Sequence, residues 1–117
     1  VVDGEILGKP RDRAHATAML RALAGQTHTV LTGLCLVTVH GEHTAVCTSR
    51  VTMAPLSDGE IGRYVATGEA DDKAGAYAIQ GRAGAFIARL EGSYSGVMGL
   101  PLHELRELFG RAGLEWP

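Results

Sequence analysis

Hydrophobic and polar positions fall into blocks whose period switches between that of a helix and that of a strand. Val1 and Val2 form a short apolar stub of a strand, leading through Asp3 and Gly4 to Glu5, Ile6 and Leu7. Pro10 and Asp12 open a helix predicted to run to about Leu23, with Met19, Leu20 and Leu23 on one side and Gly25 past its end. From Thr29 to Val39 the chain is almost continuously apolar or β-branched, the pattern of a strand buried on both faces. Thr44 to Met53 alternates instead. Ala45, Cys47, Val51 and Met53 face one way, and Thr48, Arg50 and Thr52 the other. Ser57 with Glu60 makes a capping box, and Ile61, Tyr64 and Val65 give the helical stripe that follows it, up to Gly68. Ala85 to Leu90 reads as a further strand. Pro101 opens a last helix with Leu102, Leu105, Leu108 and Phe109 as its buried stripe. Helices alternating with strands, plus one hairpin, predict an α/β fold with a mixed sheet and flanking helices, with residues 1–117 forming a single domain.

Composition narrows the class. A chain of 117 residues fits one domain and buries a modest core. With 45% hydrophobic residues the chain is globular, so its sixteen glycines imply tight turns rather than disorder. A net charge of −2 gives no basic field, which argues against nucleic acid as a partner. No apolar run approaches the roughly 20 residues needed to span a bilayer, so no membrane partner and a cytoplasmic location are expected. A hairpin turning through Gly41 and Glu42 would set Val39 opposite Thr44, Leu36 opposite Cys47 and Cys35 opposite Thr48. The two thiols would then diverge, whereas a three-residue turn would set them face to face. Buried free thiols in a reducing compartment are the expectation. His40 and His43 flank the turn, but the C-x-x-C or H-x3-H spacing of a closed zinc site is absent.

Candidate chemistry concentrates in Asp72 to Gly81, DKAGAYAIQG. Gly75 and Gly81 allow close backbone approach or positive φ. Tyr77 brings a flat apolar face with a polar tip, Gln80 a donor and an acceptor, and Lys73 a mobile cation. Such a set suits a pocket that holds a planar base and an anion together. Ala74, Ala76 and Ala78 have little core-building bulk, so packing alone explains the run poorly. A carboxamide at Gln80 can accept from a pyrimidine N3–H and donate to a ring carbonyl, which suits uracil or thymine. The bland alternative is a loop amide satisfied by backbone groups. Lys9, between Gly8 and Pro10, is a candidate phosphate cation, although a bare G-K-P tripeptide reads equally as a solvated turn. Lys73 has the same role open to it, or a surface pairing with Asp71 or Asp72. His28, at a strand entrance after Thr27, reads as a structural hydrogen-bonder sooner than a catalyst. Ser93, Tyr94 and Ser95 form a polar loop between strand and helix, able to touch phosphate or ribose but explained as well by turn chemistry.

Four segments occur in one order: GEILGKPRD at Gly4–Asp12, MLRALAGQTHTVLTG at Met19–Gly33, YVATGEADDKAGAYAIQG at Tyr64–Gly81, and GSYSGVMGLPL at Gly92–Leu102. Together they resemble the Maf family of nucleoside triphosphate pyrophosphatases over nearly the whole chain. The resemblance implies the elongated two-lobed fold of the Maf and inosine-triphosphatase superfamily, with nucleotide in the cleft between lobes and one side of that cleft largely missing here. It implies cleavage of dTTP or UTP to monophosphate and pyrophosphate with a divalent metal, Mg or Mn. Lys9 and Lys73 would meet the phosphates and Gln80 the base. The Tyr-x-Ile-Gln-Gly form resembles the dTTP and UTP branch rather than the branch acting on 7-methylated GTP. The family's catalytic aspartate belongs to an Ala-Asp-Thr motif upstream of Val1, as do its phosphate loop and a further metal carboxylate. Asp3 and Glu5 fit neither motif, so no catalytic residue or metal ligand is assigned within this chain. Losing a general base costs orders of magnitude in rate, and the chain alone is expected to hydrolyse nucleotide poorly. A nucleotide-binding module without turnover and a regulator of septum formation are the competing readings. Uncovered strand edges and core surface further predict a homo-oligomer.

Overall fold

A computed structural model describes residues 1–2 and 4–117; Asp3 lies outside the described residues. The first helix, α1 (Arg13–Leu23), starts where the Asp12 carboxylate accepts the His15 N–H at 2.7 Å, and it buries Ala16, Met19, Leu20 and Leu23. That cap satisfies one of the orphan donors at a helix start. The second, α2 (Asp58–Ala66), opens on the predicted capping box: the Glu60 N–H donates to Ser57 Oγ at 3.1 Å and the Ser57 N–H to Glu60 Oε1 at 3.0 Å. Ile61, Tyr64 and Val65 are its buried stripe.

Between these helices run β1 (Thr27–Thr38) and β2 (Gly41–Met53), a long antiparallel hairpin. Its turn passes through Val39 and His40, pairing Thr38 with Gly41, and not through Gly41 and Glu42. The Thr38 hydroxyl accepts the His40 N–H at 3.1 Å and donates to the Gly41 carbonyl at 3.4 Å, side-chain bonds that favour the tighter turn. Cys35 therefore faces Thr44 and Cys47 faces Thr32. The thiols still diverge, but only Cys47 is buried; Cys35 is exposed. The expected two-sided burial of the first strand is also corrected. Leu31 is 55% and Val37 68% exposed, because the hairpin reaches past the helices in a molecule measuring 51 × 28 × 26 Å.

The third strand, β3 (Ile87–Glu91), pairs with β2 to give the order β1-β2-β3. The α/β class with flanking helices is as the sequence implied, and within it all three described strands run antiparallel. Ahead of β3, Arg82–Phe86 coil as a 3₁₀ turn, so this strand starts at Ile87 and not at the predicted Ala85. Ser93–Ser95 are not an open loop. Ser93 Oγ accepts the Gly96 N–H at 2.9 Å and caps a short helix, α3 (Tyr94–Met98). The last helix, α4 (Leu102–Arg111), lies against β1 and β2, with Leu108 as its one buried residue. Leu102 is half exposed, and Phe109 packs edge to face on Trp116 with centroids 5.2 Å apart. The main core joins α1, α2 and Met53 to Ala76, Tyr77, Ile79 and Ala83.

Candidate functional site

The segment from Asp72 to Gly81 divides into two parts. Gly75 to Ile79 are buried, so packing accounts for the middle of the run, contrary to the reading from its small residues. Asp72, Ala74 and Gln80 stay at the surface on either side, with Lys73 half-buried. Gly75 and Ala76 both adopt positive φ, at 77° and 66°. Glycine takes this conformation freely, whereas Ala76 bears about 1 kcal/mol of strain, tolerated at a packed position where a small side chain is required. This double reversal turns the chain so that Lys73 and Gln80 emerge on the same side. The Gly75 N–H donates to the Gly8 carbonyl at 3.1 Å and ties the reversal to the segment that carries Lys9.

Lys73 and Gln80 line one cleft of about 240 Å³, walled on the far side by Leu31 and Thr32 of β1 and by Met98 of α3. Thr32 is held there by its hydroxyl, which donates to the Gly96 carbonyl at 2.9 Å. Lys9 is exposed and does not line this cleft; it lies one residue beyond the Gly8 carbonyl that the Gly75 amide engages. The structure thus brings two of the three predicted substrate-binding residues to one cleft and leaves the third outside its lining, next to the Gly8 carbonyl that the loop engages. The Lys73 ammonium is 4.0 Å from the Asp72 carboxylate, with side chains 42% and 76% exposed, a contact too wet to neutralise the lysine. Asp71 pairs instead with Arg13 at 3.4 Å. A second, mostly apolar hollow of about 170 Å³ adjoins the cleft across Leu31, Ala74 and Tyr77.

Tyr77 does not offer its polar tip to the cleft. Its hydroxyl and His28 Nε2 share a buried hydrogen bond of 2.6 Å. Burial drives the His28 pKa from its ordinary 6.5 down to about 4. Burial likewise raises the Tyr77 phenol, so both rings are neutral at pH 7. Buried and bonded to each other, the two side chains are tied into the core beside the cleft. Ser93 and Ser95 are also spent on turns: the Ser93 N–H donates to Ser49 Oγ at 2.9 Å, and Ser95 Oγ accepts the Leu102 N–H at 3.1 Å. Among the described residues no three His, Cys, Asp or Glu side chains converge on a point where a metal would sit.

Sequence reasoning overlooked Tyr64 and Glu69, which support the loop from behind. The Ala78 N–H donates to Tyr64 Oη at 3.0 Å, and the Arg82 N–H donates to the Glu69 carboxylate. These contacts join residues 13 and 14 apart, and no short-range spacing marks them.

The family model for Maf-like proteins matches residues 1–112. Among curated relatives, a protein of Cupriavidus pinatubonensis (strain JMP 134 / LMG 1197) named dTTP/UTP pyrophosphatase is 56% identical over 113 residues, covering 97% of this chain and 56% of that protein. Another with the same name, from Alkalilimnicola ehrlichii (strain ATCC BAA-1101 / DSM 17681 / MLHE-1), is 54% identical over 116 residues, covering 99% and 57%. A third, from Anaeromyxobacter sp. (strain Fw109-5), is 54% identical over 122 residues, covering 100% and 60%. The chain thus spans little more than half the length of the curated relatives it matches. A match that runs through every element bordering the cleft, from β1 to α3, and through the Gly8–Lys9 segment as well, places the chain in the Maf-like protein family.

Proposed function

We propose that this protein takes part in hydrolysis of dTTP and UTP to the monophosphate and pyrophosphate, with the cleft beside β1 as its pyrimidine-nucleotide site. One observation carries the reading: a half-exposed ammonium and an exposed carboxamide, Lys73 and Gln80, line a single cleft in a chain about half identical to proteins named dTTP/UTP pyrophosphatase. Gln80 accepts from the base N3–H and donates to a ring carbonyl, while Lys73 offsets phosphate charge at the same opening. Lys9 meets the outer phosphates from behind the loop. A lysine ammonium is a point charge on a flexible stem, suited to a triphosphate that bends.

Residues 1–117 act as one domain in this reading, working in the cytoplasm without nucleic acid or membrane as partner. No helix among the described residues is long and apolar enough to cross a membrane. The divalent metal that the family resemblance implies finds no adequate donor set here: Asp72 is the one carboxylate among the described residues lining the cleft. No step is routed through it. Self-association belongs to the same proposal, and the hairpin supplies its surface.

Release of pyrophosphate, followed with a coupled inorganic pyrophosphatase and phosphate detection, tests the activity. Turnover by this chain alone is expected to be weak, and what there is to favour dTTP and UTP over ATP and GTP, with Gln80→Ala raising KM for the pyrimidine substrates about tenfold. Equal turnover of all four nucleotides, or a KM unmoved by Gln80→Ala, would contradict the assignment.

A further inference from the structure

Gln80 stands on a turn held by other residues' side chains. The Gly81 N–H donates to the Ala78 carbonyl at 3.0 Å and closes a turn with Ile79 and Gln80 at its corner. On the entry side, the Ala78 N–H donates to the buried Tyr64 hydroxyl at 3.0 Å. On the exit side, the Arg82 N–H is shared between Glu69 Oε1 at 3.0 Å and Oε2 at 3.2 Å. Both clamps come from the C-terminal end of α2 and the turn that follows it. Thr67 Oγ1 donates to the Tyr64 carbonyl at 2.6 Å and accepts the Glu69 N–H at 3.2 Å, so Tyr64 and Glu69 are themselves fixed to each other.

Gly81 completes the fit. A Cβ at this position would lie 1.3 Å from Glu69 Oε1 and 2.4 Å from its Cδ. Any side chain there evicts the carboxylate from the Arg82 amide. The glycine after Gln80 is therefore required by the clamp and not by its own backbone angle, which is an ordinary −101°.

A carboxamide is an ambiguous reader. Turned over, it offers an acceptor where it offered a donor, and then matches the N3 and amino group of cytosine as well as it matched thymine. The turn sets where the carboxamide starts from and how far it reaches, so selection between the two depends on its presentation from one place together with the amide's own rotation. We propose that Glu69 is a positioning residue for base selection, its carboxylate locking the 78–82 turn so that Gln80 meets the uracil or thymine edge. This inference rests on the reading of Gln80 as the base contact. Hydrogen bonds from backbone amides to a charged acceptor are among the stronger ones, so loss of this clamp is felt directly at the turn.

Calorimetric titration of the chain with dTTP and dCTP tests the proposal, with amide exchange at Arg82 as a second readout. The unaltered chain should prefer dTTP. Glu69→Ala should weaken dTTP about tenfold, shrink the preference over dCTP and speed exchange of the Arg82 amide. Glu69→Gln keeps a carbonyl oxygen for that amide and should restore most of the preference, while Gly81→Ala should mimic Glu69→Ala. A merely structural Glu69 would lower the melting temperature without moving the dTTP to dCTP ratio, and that result overturns the proposal. So does unchanged Arg82 exchange in Glu69→Ala. If Gln80→Ala leaves the ratio intact, or the unaltered chain has no preference, the base-reading role of Gln80 falls first and takes this inference with it.

Discussion

Tyr77 and His28 meet edge to face with ring centroids 5.4 Å apart, and their hydrogen bond lies inside the core beneath the candidate cleft. His28 Nδ1 is buried as well, without a partner among the described residues, so protonating the ring finds no compensating acceptor. The folded-state pKa of about 4 lies below the ordinary 6.5, which fixes the sign of the pH dependence. As pH falls below 6.5 the unfolded chain takes up the proton first, and stability that is complete above that value is lost progressively until pH reaches about 4. The shift corresponds to a loss on the order of 3 kcal/mol across that window. Urea unfolding between pH 7 and pH 4.5 measures it. His28→Phe should flatten this pH dependence while costing roughly 1–3 kcal/mol at pH 7, because the Tyr77 hydroxyl is left unpaired. An unchanged slope in the variant would show that another group carries it.

The β1–β2 hairpin presents one face without cover. On it Leu31 is joined by Val46, with Val37 nearer the tip, and β1 is the outer strand of the sheet. Val1 exchanges backbone hydrogen bonds with Thr29 on that outer edge, and beyond Thr29 the edge has no further partner among the described residues. Apolar residues beside an unpaired strand edge favour strand-to-strand association. Sedimentation at tens of micromolar is expected to show a dimer or larger species, shifted to monomer by Val37→Lys with Val46→Lys. A monomer before substitution would count against it. The same hairpin shows what a sequence conveys and what it does not. Local chemistry was legible: the Asp12 cap, the Ser57–Glu60 box and the alternation of β2 depend on neighbours a few positions apart. Burial of β1 was not, because an apolar run says nothing of whether a helix covers it. The register was missed because two bonds of the Thr38 hydroxyl shift the turn by two residues.

At the scale of the whole molecule, the candidate site is a product of assembly. Lys73 and Gln80 are close in sequence and were legible as a pair, but their cleft needs β1 opposite them and α3 at its end. Lys9 is tied to the same loop by the Gly8 to Gly75 hydrogen bond, a contact that spans all of α1, β1, β2 and α2. The supports at Tyr64 and Glu69 stayed hidden for the same reason. In the proposed reading, nucleotide recognition depends on the loop's setting as much as on its side chains, and binding is the property to measure. Titration of the chain with dTTP is predicted to give a saturable signal that Lys73→Ala and Gln80→Ala each weaken about tenfold, as expected for the loss of one charge-assisted or paired hydrogen-bonding contact. No saturable binding, or the same affinity in both variants as in the unaltered chain, would contradict the assignment of this cleft.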